Sequence, residues 1–131
     1  MDPTPEDLLS LMPFAGLVGI ELLEATPEAV RGRLDWSPER CTAGGTLHGG
    51  ALLTLGDSLG GICAYLNLGP GQSTVTLESK TNLIRGVHEG SVEGTAHPLH
   101  VGRMTIVVQT RVLDELGRLV SITLQTQAVT G

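Results

Sequence analysis

A single stretch limits what this chain can become. From Gly49 to about Asn67, residues Leu52, Leu55, Leu59, Ile62, Cys63 and Leu66 recur at steps of three and four, the spacing that gathers side chains on one helical face. Most of the positions between them are apolar as well, which predicts a helix buried around most of its circumference. It nevertheless carries Gly50, Gly56, Gly60 and Gly61, each disfavoured in a helix interior by roughly 1 kcal/mol relative to alanine. A helix that tolerates this is expected to lie in close contact with a sheet, a partner helix or a ligand. Asp57, Ser58 and the glycines also interrupt the apolar run from Ala51 to Leu68, which makes it a poor membrane span.

The residues around this helix read mostly as strand. Glu6 to Phe14 suits a short helix, and Leu17 to Ala25 and Ala29 to Trp36 suit two strands joined at Thr26-Pro27. Ser37 to Thr46, with Pro38, Gly44 and Gly45, is an aperiodic loop leading into the helix. After Gly69-Pro70-Gly71 the period becomes two: Val75, Leu77, Ser79, Thr81 and Leu83 alternate with Thr74, Thr76, Glu78, Lys80 and Asn82. Ser91 to Leu99, Met104 to Leu113 and Leu119 to Val129 follow as strands, with a hairpin turn at Asp114 to Gly117. In the last strand Val120, Ile122 and Leu124 are expected inward and Ser121, Thr123 and Gln125 outward. Residues 1–131 thus predict one α+β domain in which an antiparallel sheet covers one long helix. A curved sheet wrapped around the helix satisfies the pattern, and so does a flat layer.

Composition removes several function classes. Phe14, Trp36 and Tyr65 are the only aromatic residues, too few to stack bases, and a net charge of -6 repels phosphate backbones, so no nucleic-acid partner is expected. The charge is uneven: residues 1–72 hold nine acids and three arginines, whereas residues 73–131 hold five acids and five bases. The phosphates of an anionic ligand are expected at Lys80, Arg85 or Arg103, although solvated arginines need no ligand. Cys41 and Cys63 are too few for a disulfide scaffold and read as free thiols. The acidic, prolyl segment from Met1 to Ser10 lacks a secretory layout, so the expectation is a soluble, cytoplasmic protein without a membrane partner.

Asp57 is the strongest chemical signal. An acid in the middle of an apolar helix cannot cap it and is costly to bury. It either points out on a solvated stripe with Thr54 and Ser58, pairs with an arginine, or performs chemistry. Gly49 and Gly50 leave the backbone donors at the helix start uncovered, where a substrate carbonyl developing negative charge would be stabilised. Gly49 and Asp57 lie roughly 12 Å apart along one helix by rise alone, too far to serve one carbon, so two copies of the chain are expected to share each site. His48 reads as a capping or orienting group more than as a base. His97 and His100, three apart on a strand, are expected on opposite faces, and no metal site is visible.

Gly45-Thr46-Leu47-His48-Gly49-Gly50, with Asp57 nine residues after the histidine, resembles the hotdog-fold acyl-CoA thioesterases of the hydroxybenzoyl-CoA and phenylacetate-pathway type. Glu89-Gly90, Pro98-Leu99-His100-Val101-Gly102-Arg103 and Asp114-Glu115-Leu116-Gly117-Arg118-Leu119 extend the likeness over roughly residues 14–129, toward the branch acting on aromatic acyl-CoA esters. The resemblance implies a hotdog fold, assembled as a homodimer or homotetramer with sites at the subunit interface. It puts the catalytic carboxylate on Asp57, as nucleophile or general base, and the oxyanion donor on the Gly49 N–H, with His48 in support. CoA contacts fall on Thr76, on Leu83, Ile84, Arg85 and Gly86, and on His100, Val101, Gly102, Arg103, Met104 and Thr105. CoA is part of the substrate, and no separate cofactor is implied.

Three positions depart from the family pattern. Thr42 stands where an Asn or Gln usually orients the site, and Asp57 where the aromatic branch uses Glu. Gly61 replaces the Ser or Thr that positions water; Thr76 occupies the position of a serine used for that task in another branch and is expected to replace it. The leading expectation is hydrolysis of an aryl- or medium-chain acyl-CoA. The alternatives are a catalytically silent acyl-CoA-binding module and a hotdog acyl-CoA hydratase or dehydratase.

Overall fold

The computed structural model describes residues 2–131. Helix α1 (Pro5–Ser10) opens with a reciprocal cap in which the Asp7 N–H donates to Thr4 Oγ1 at 3.1 Å and the Thr4 N–H donates to Asp7 Oδ2 at 3.0 Å. The helix expected from Glu6 to Phe14 is in fact two. Pro13 begins helix α2 (Pro13–Val18), and its ring holds Met12 out of helical geometry at φ -125° and ψ 74°. Leu17 and Val18 therefore belong to α2, and the strand expected from Leu17 begins only at Glu21.

Strands β1 (Glu21–Ala25) and β2 (Val30–Asp35) precede helix α3 (Gly49–Leu66), and β3 (Ser73–Leu83), β4 (Ser91–Val101), β5 (Thr105–Asp114) and β6 (Leu119–Thr130) follow it. They form one antiparallel sheet in the order β1-β2-β4-β5-β6-β3, curved around α3. Leu55, Leu59 and Cys63 of α3 are fully buried against Val30, Leu34, Ala96, Val108 and Val112. Burial pushes the Cys63 thiol up to about 11, and both cysteines are free.

The helix glycines mark where helix and sheet touch. A Cβ on Gly56 would lie 2.2 Å from Thr123 Oγ1, and one on Gly60 would lie 2.0 Å from Gln125 Nε2. Gly60→Ala gains about 1 kcal/mol of helix propensity but must displace a buried amide, so a net loss of about 1–3 kcal/mol is expected. A urea midpoint equal to or above that of the parent would contradict this account.

Four inserted residues interrupt the alternation of the strands, the first of them Leu23 in β1, where Leu22 pairs with Gly32 and Glu24 with Arg31. In β3, Thr76 pairs with Gln127 but Glu78 with Thr126, leaving Leu77 as an extra residue. The continuous alternation expected there is therefore broken: Thr74 and Thr76 face the helix on the same side as Ser79 and Thr81. In β4 Leu99 is extra, so His97 and His100 share the outer face instead of opposing each other. In β6 Val112 pairs with Ser121 and Leu113 with Leu119, so Val120 is extra and the expected orientation is reversed beyond it. Ser121, Thr123, Gln125 and Gln127 are buried against α3, while Ile122 and Leu124 turn outward.

Candidate active site

Helix α3 begins where a pinned loop delivers it. The His48 N–H donates to the Arg40 carbonyl at 2.8 Å and the Leu47 N–H to the Val87 carbonyl at 2.8 Å, fixing both sides of the entry. His48 caps the helix: its Nδ1 accepts from the Gly50 N–H at 2.7 Å, which places the ring proton of neutral His48 on Nε2. His48 is thus a capping group, and its Nδ1 lone pair is occupied. The Gly49 N–H donates to no other group among the described residues and is free for a ligand. Leu83, at the end of β3, lies directly over it, since a Cβ on Gly49 would be 2.7 Å from Leu83 Cδ1.

Asp57 occupies the middle of α3 on its open side. It makes no hydrogen bond or ion pair among the described residues, although its carboxyl reaches solvent in the single chain. Loss of water to the surrounding protein nevertheless pushes that carboxyl up from the ordinary carboxylate range. Two cavities meet at Asp57. One, of about 390 Å³, also touches Met12, Phe14, Leu53, Ser79 and Thr81; the other, of about 240 Å³, also touches Leu11, Met12, Gly61, Tyr65, Thr76 and Gln127. A third, of about 630 Å³, lies at the helix start against Phe14, Arg40, Cys41, His48 and Gly50. Within one chain, then, Asp57 and Thr76 come together, and His48 and Gly50 come together elsewhere.

The remaining expected residues divide between two places. Leu83, Ile84, Arg85 and Gly86 lie beside the helix start, where a Cβ on Gly86 would be 3.4 Å from Thr46 Cγ2. His100, Val101, Gly102, Arg103, Met104 and Thr105 form the β4–β5 hairpin, closed by the Gly102 N–H donating to the Thr105 carbonyl at 2.9 Å. Thr105 pairs with Ala128 and Leu83 with Ser121, so seven residues of β6, about 23 Å, separate the two groups. Thr42 is exposed and lines none of the three cavities around α3; its N–H donates to the Thr46 carbonyl at 2.8 Å.

Several residues at the site lay outside the expectation, namely Phe14, Met12, Ser79, Thr81 and Gln127. Met12 and Phe14 reach it because the chain breaks at Pro13 into α2, and Ser79, Thr81 and Gln127 because Leu77 and Val120 set the phase of β3 and β6. Among the described residues no group of three or more His, Cys, Asp or Glu side chains is placed to hold a metal ion. Among the same residues no helix is long and apolar enough to cross a membrane.

Residues 44–121 match the family model described as the thioesterase superfamily. The chain belongs to this family. Thioesterase superfamily relatives agree along its length: a Mycobacterium tuberculosis protein provisionally named an esterase is 31% identical over 92% of this chain and 91% of its own. The 1,4-dihydroxy-2-naphthoyl-CoA hydrolase of Escherichia coli is 43% identical over 57% of this chain, a stretch that spans 55% of that protein. A solved Haemophilus influenzae thioesterase superposes with a TM-score of 0.93 at 26% identity, covering 100% of this chain and 93% of its own. The thioesterase fold seen here is the hotdog fold, and thioester hydrolysis is its class of reaction.

Proposed function

We propose that this thioesterase cleaves acyl-CoA at a site built from two copies of the chain, with the Asp57 carboxylate of one and the Gly49 N–H of the other acting on the same thioester. The observation that carries this reading is the distance between the two groups, since Gly49 and Asp57 lie eight residues, about 12 Å, apart along α3 of one chain. Water gives its proton to Asp57 as its oxygen attacks the thioester carbon, and the resulting oxyanion is held by the Gly49 N–H. Collapse expels the CoA thiolate, which takes the proton back from Asp57. The hydroxyls of Thr76, Ser79 and Thr81 around Asp57 favour this general-base role over direct attack.

Strand β3 supports the assembly. It is an edge strand of eleven residues whose outer backbone groups have no partner in the sheet. Pairing two β3 strands antiparallel sets the helix start and Leu83 of one copy beside the first half of β3 in the other, near Thr76. The same pairing brings the two CoA-contact segments, distant in one chain, to a common ligand. We take a homodimer, or a tetramer of paired dimers, as the working unit. Arg85 and Arg103 offer charge to the phosphates. The substrate is an aryl or medium-chain acyl-CoA, suited by the apolar wall of Leu8, Leu11, Met12, Ile62 and Tyr65. A cytoplasmic setting is consistent with the free Cys41 and Cys63 thiols.

The reading is tested by offering benzoyl-CoA, hydroxybenzoyl-CoA and hexanoyl- to decanoyl-CoA with a thiol-trapping dye. Catalytic release of free CoA is expected; tight binding without release would replace hydrolysis by a silent binding module. The water-positioning role of Thr76 has a test of its own. Thr76→Ala is expected to lower kcat about tenfold or more. Gly61→Ser in that background is expected to restore part of the loss, because only Met12 Cε, at 3.7 Å from the new Cβ, borders the space. If Thr76→Ala turns over like the parent, that hydroxyl does not position the water.

A further inference from the structure

Beneath Asp57 the concave face of β6 presents side chains that an apolar core ordinarily excludes. Gln125 and Gln127 are 1% and 2% exposed, and they connect helix α3 to strand β3. Gln125 Nε2 donates to the Gly56 carbonyl at 3.1 Å, and Gln127 Nε2 donates to Gln125 Oε1 at 2.6 Å. The same Gln127 Nε2 donates to Thr76 Oγ1 at 2.7 Å, and Thr74 Oγ1 donates to Gln127 Oε1 at 3.1 Å. Both N–H groups of the Gln127 amide are thereby used.

The direction of this chain is forced from its buried end. A main-chain carbonyl only accepts, so Gln125 must turn its NH2 to Gly56 and its oxygen to Gln127. Gln127 must then present its NH2, which also reaches Thr76, and the Thr76 oxygen is the acceptor. Its own proton is left for another partner, and its open side is the cavity shared with Asp57. Gly60 is part of the arrangement, since a Cβ there would sit 2.0 Å from Gln125 Nε2 and keep that amide from the Gly56 carbonyl.

We propose that Gln127, oriented through Gln125 by the Gly56 carbonyl, is a positioning residue that holds the Thr76 hydroxyl as a donor toward the water activated by Asp57. The water accepts from Thr76 and donates to Asp57, which leaves its second lone pair directed at the thioester carbon. This rests on the reading of Asp57 and Thr76 given above.

The test is a double-mutant cycle of Gln127→Met and Thr76→Val in the intact protein, with kcat and KM measured on the acyl-CoA turned over best and unfolding followed in parallel. Gln127→Met is expected to lower kcat about tenfold while KM stays within about twofold, and to add almost nothing once Thr76→Val is present. Gln127→Glu, equal in size but unable to donate when ionised, is expected to lose kcat similarly and serves if the methionine variant does not fold. If Thr76→Val is impaired and Gln127 variants are harmless, or lose equally in both backgrounds, the relay is overturned. If Thr76→Val keeps the parent kcat, the reading of Thr76 falls, and the relay with it.

Discussion

Asp57→Asn is expected to lower kcat by about 10³-fold while leaving the fold intact. Asparagine fills the same volume and cannot take a proton from water. The substitution breaks no contact, because the Asp57 carboxylate has no hydrogen-bond or ion-pair partner among the described residues. Burial raises its carboxyl in the folded chain, so folding is favoured with the proton on, and that advantage is lost as pH rises through the folded value. At neutral pH the ionised group therefore weakens the fold slightly, and Tm of the variant is expected to hold or rise. The same shift places the acidic limb of the parent's kcat profile above the ordinary carboxylate range. A folded variant with near-parent turnover would remove Asp57 from the chemistry.

Gly49→Pro is expected to cost about 10²–10³-fold in kcat, because proline deletes the one backbone donor assigned to the oxyanion. The position accepts the ring for three reasons. It is the first residue of α3, where proline is favoured; His48 already has φ -61° and ψ 132°, as a residue before proline prefers; and the atom in the way is the mobile Leu83 Cδ1. Mixing this variant with Asp57→Asn then asks where the two groups belong. If each site takes Asp57 from one copy and Gly49 from the other, a mixed dimer has one site with both groups intact, and random re-association returns about a quarter of the parent activity. Sites contained within single chains would give no recovery, which would end the shared-site reading.

The helix was legible because its signal is redundant: four glycines and six apolar positions all require a helix pressed against something. Gly56 against Thr123 and Gly60 against Gln125 bear that out. Asp57 stood out for the complementary reason, an acid with no local excuse in an apolar run. What the sequence did not disclose were the insertions. Leu23, Leu77, Leu99 and Val120 are ordinary strand residues, and a bulge built from such residues leaves no glycine to announce it. Each one turns the following residues over, so Ser121, Thr123 and Gln125, which a plain alternation places outward, are buried. The break at Pro13 was readable in principle, since proline excludes its predecessor from a helix.

Leu77 has a consequence for how this enzyme can vary. The strand around it carries two registers of side chains joined at one residue: Thr74 and Thr76 are in phase with Ser79 and Thr81 only because Leu77 has no partner of its own in β6. Single substitutions along β3 change one group each. Deleting Leu77 would instead turn one whole half of the hydroxyl row away from Asp57, so spacing in this strand is under tighter constraint than spelling.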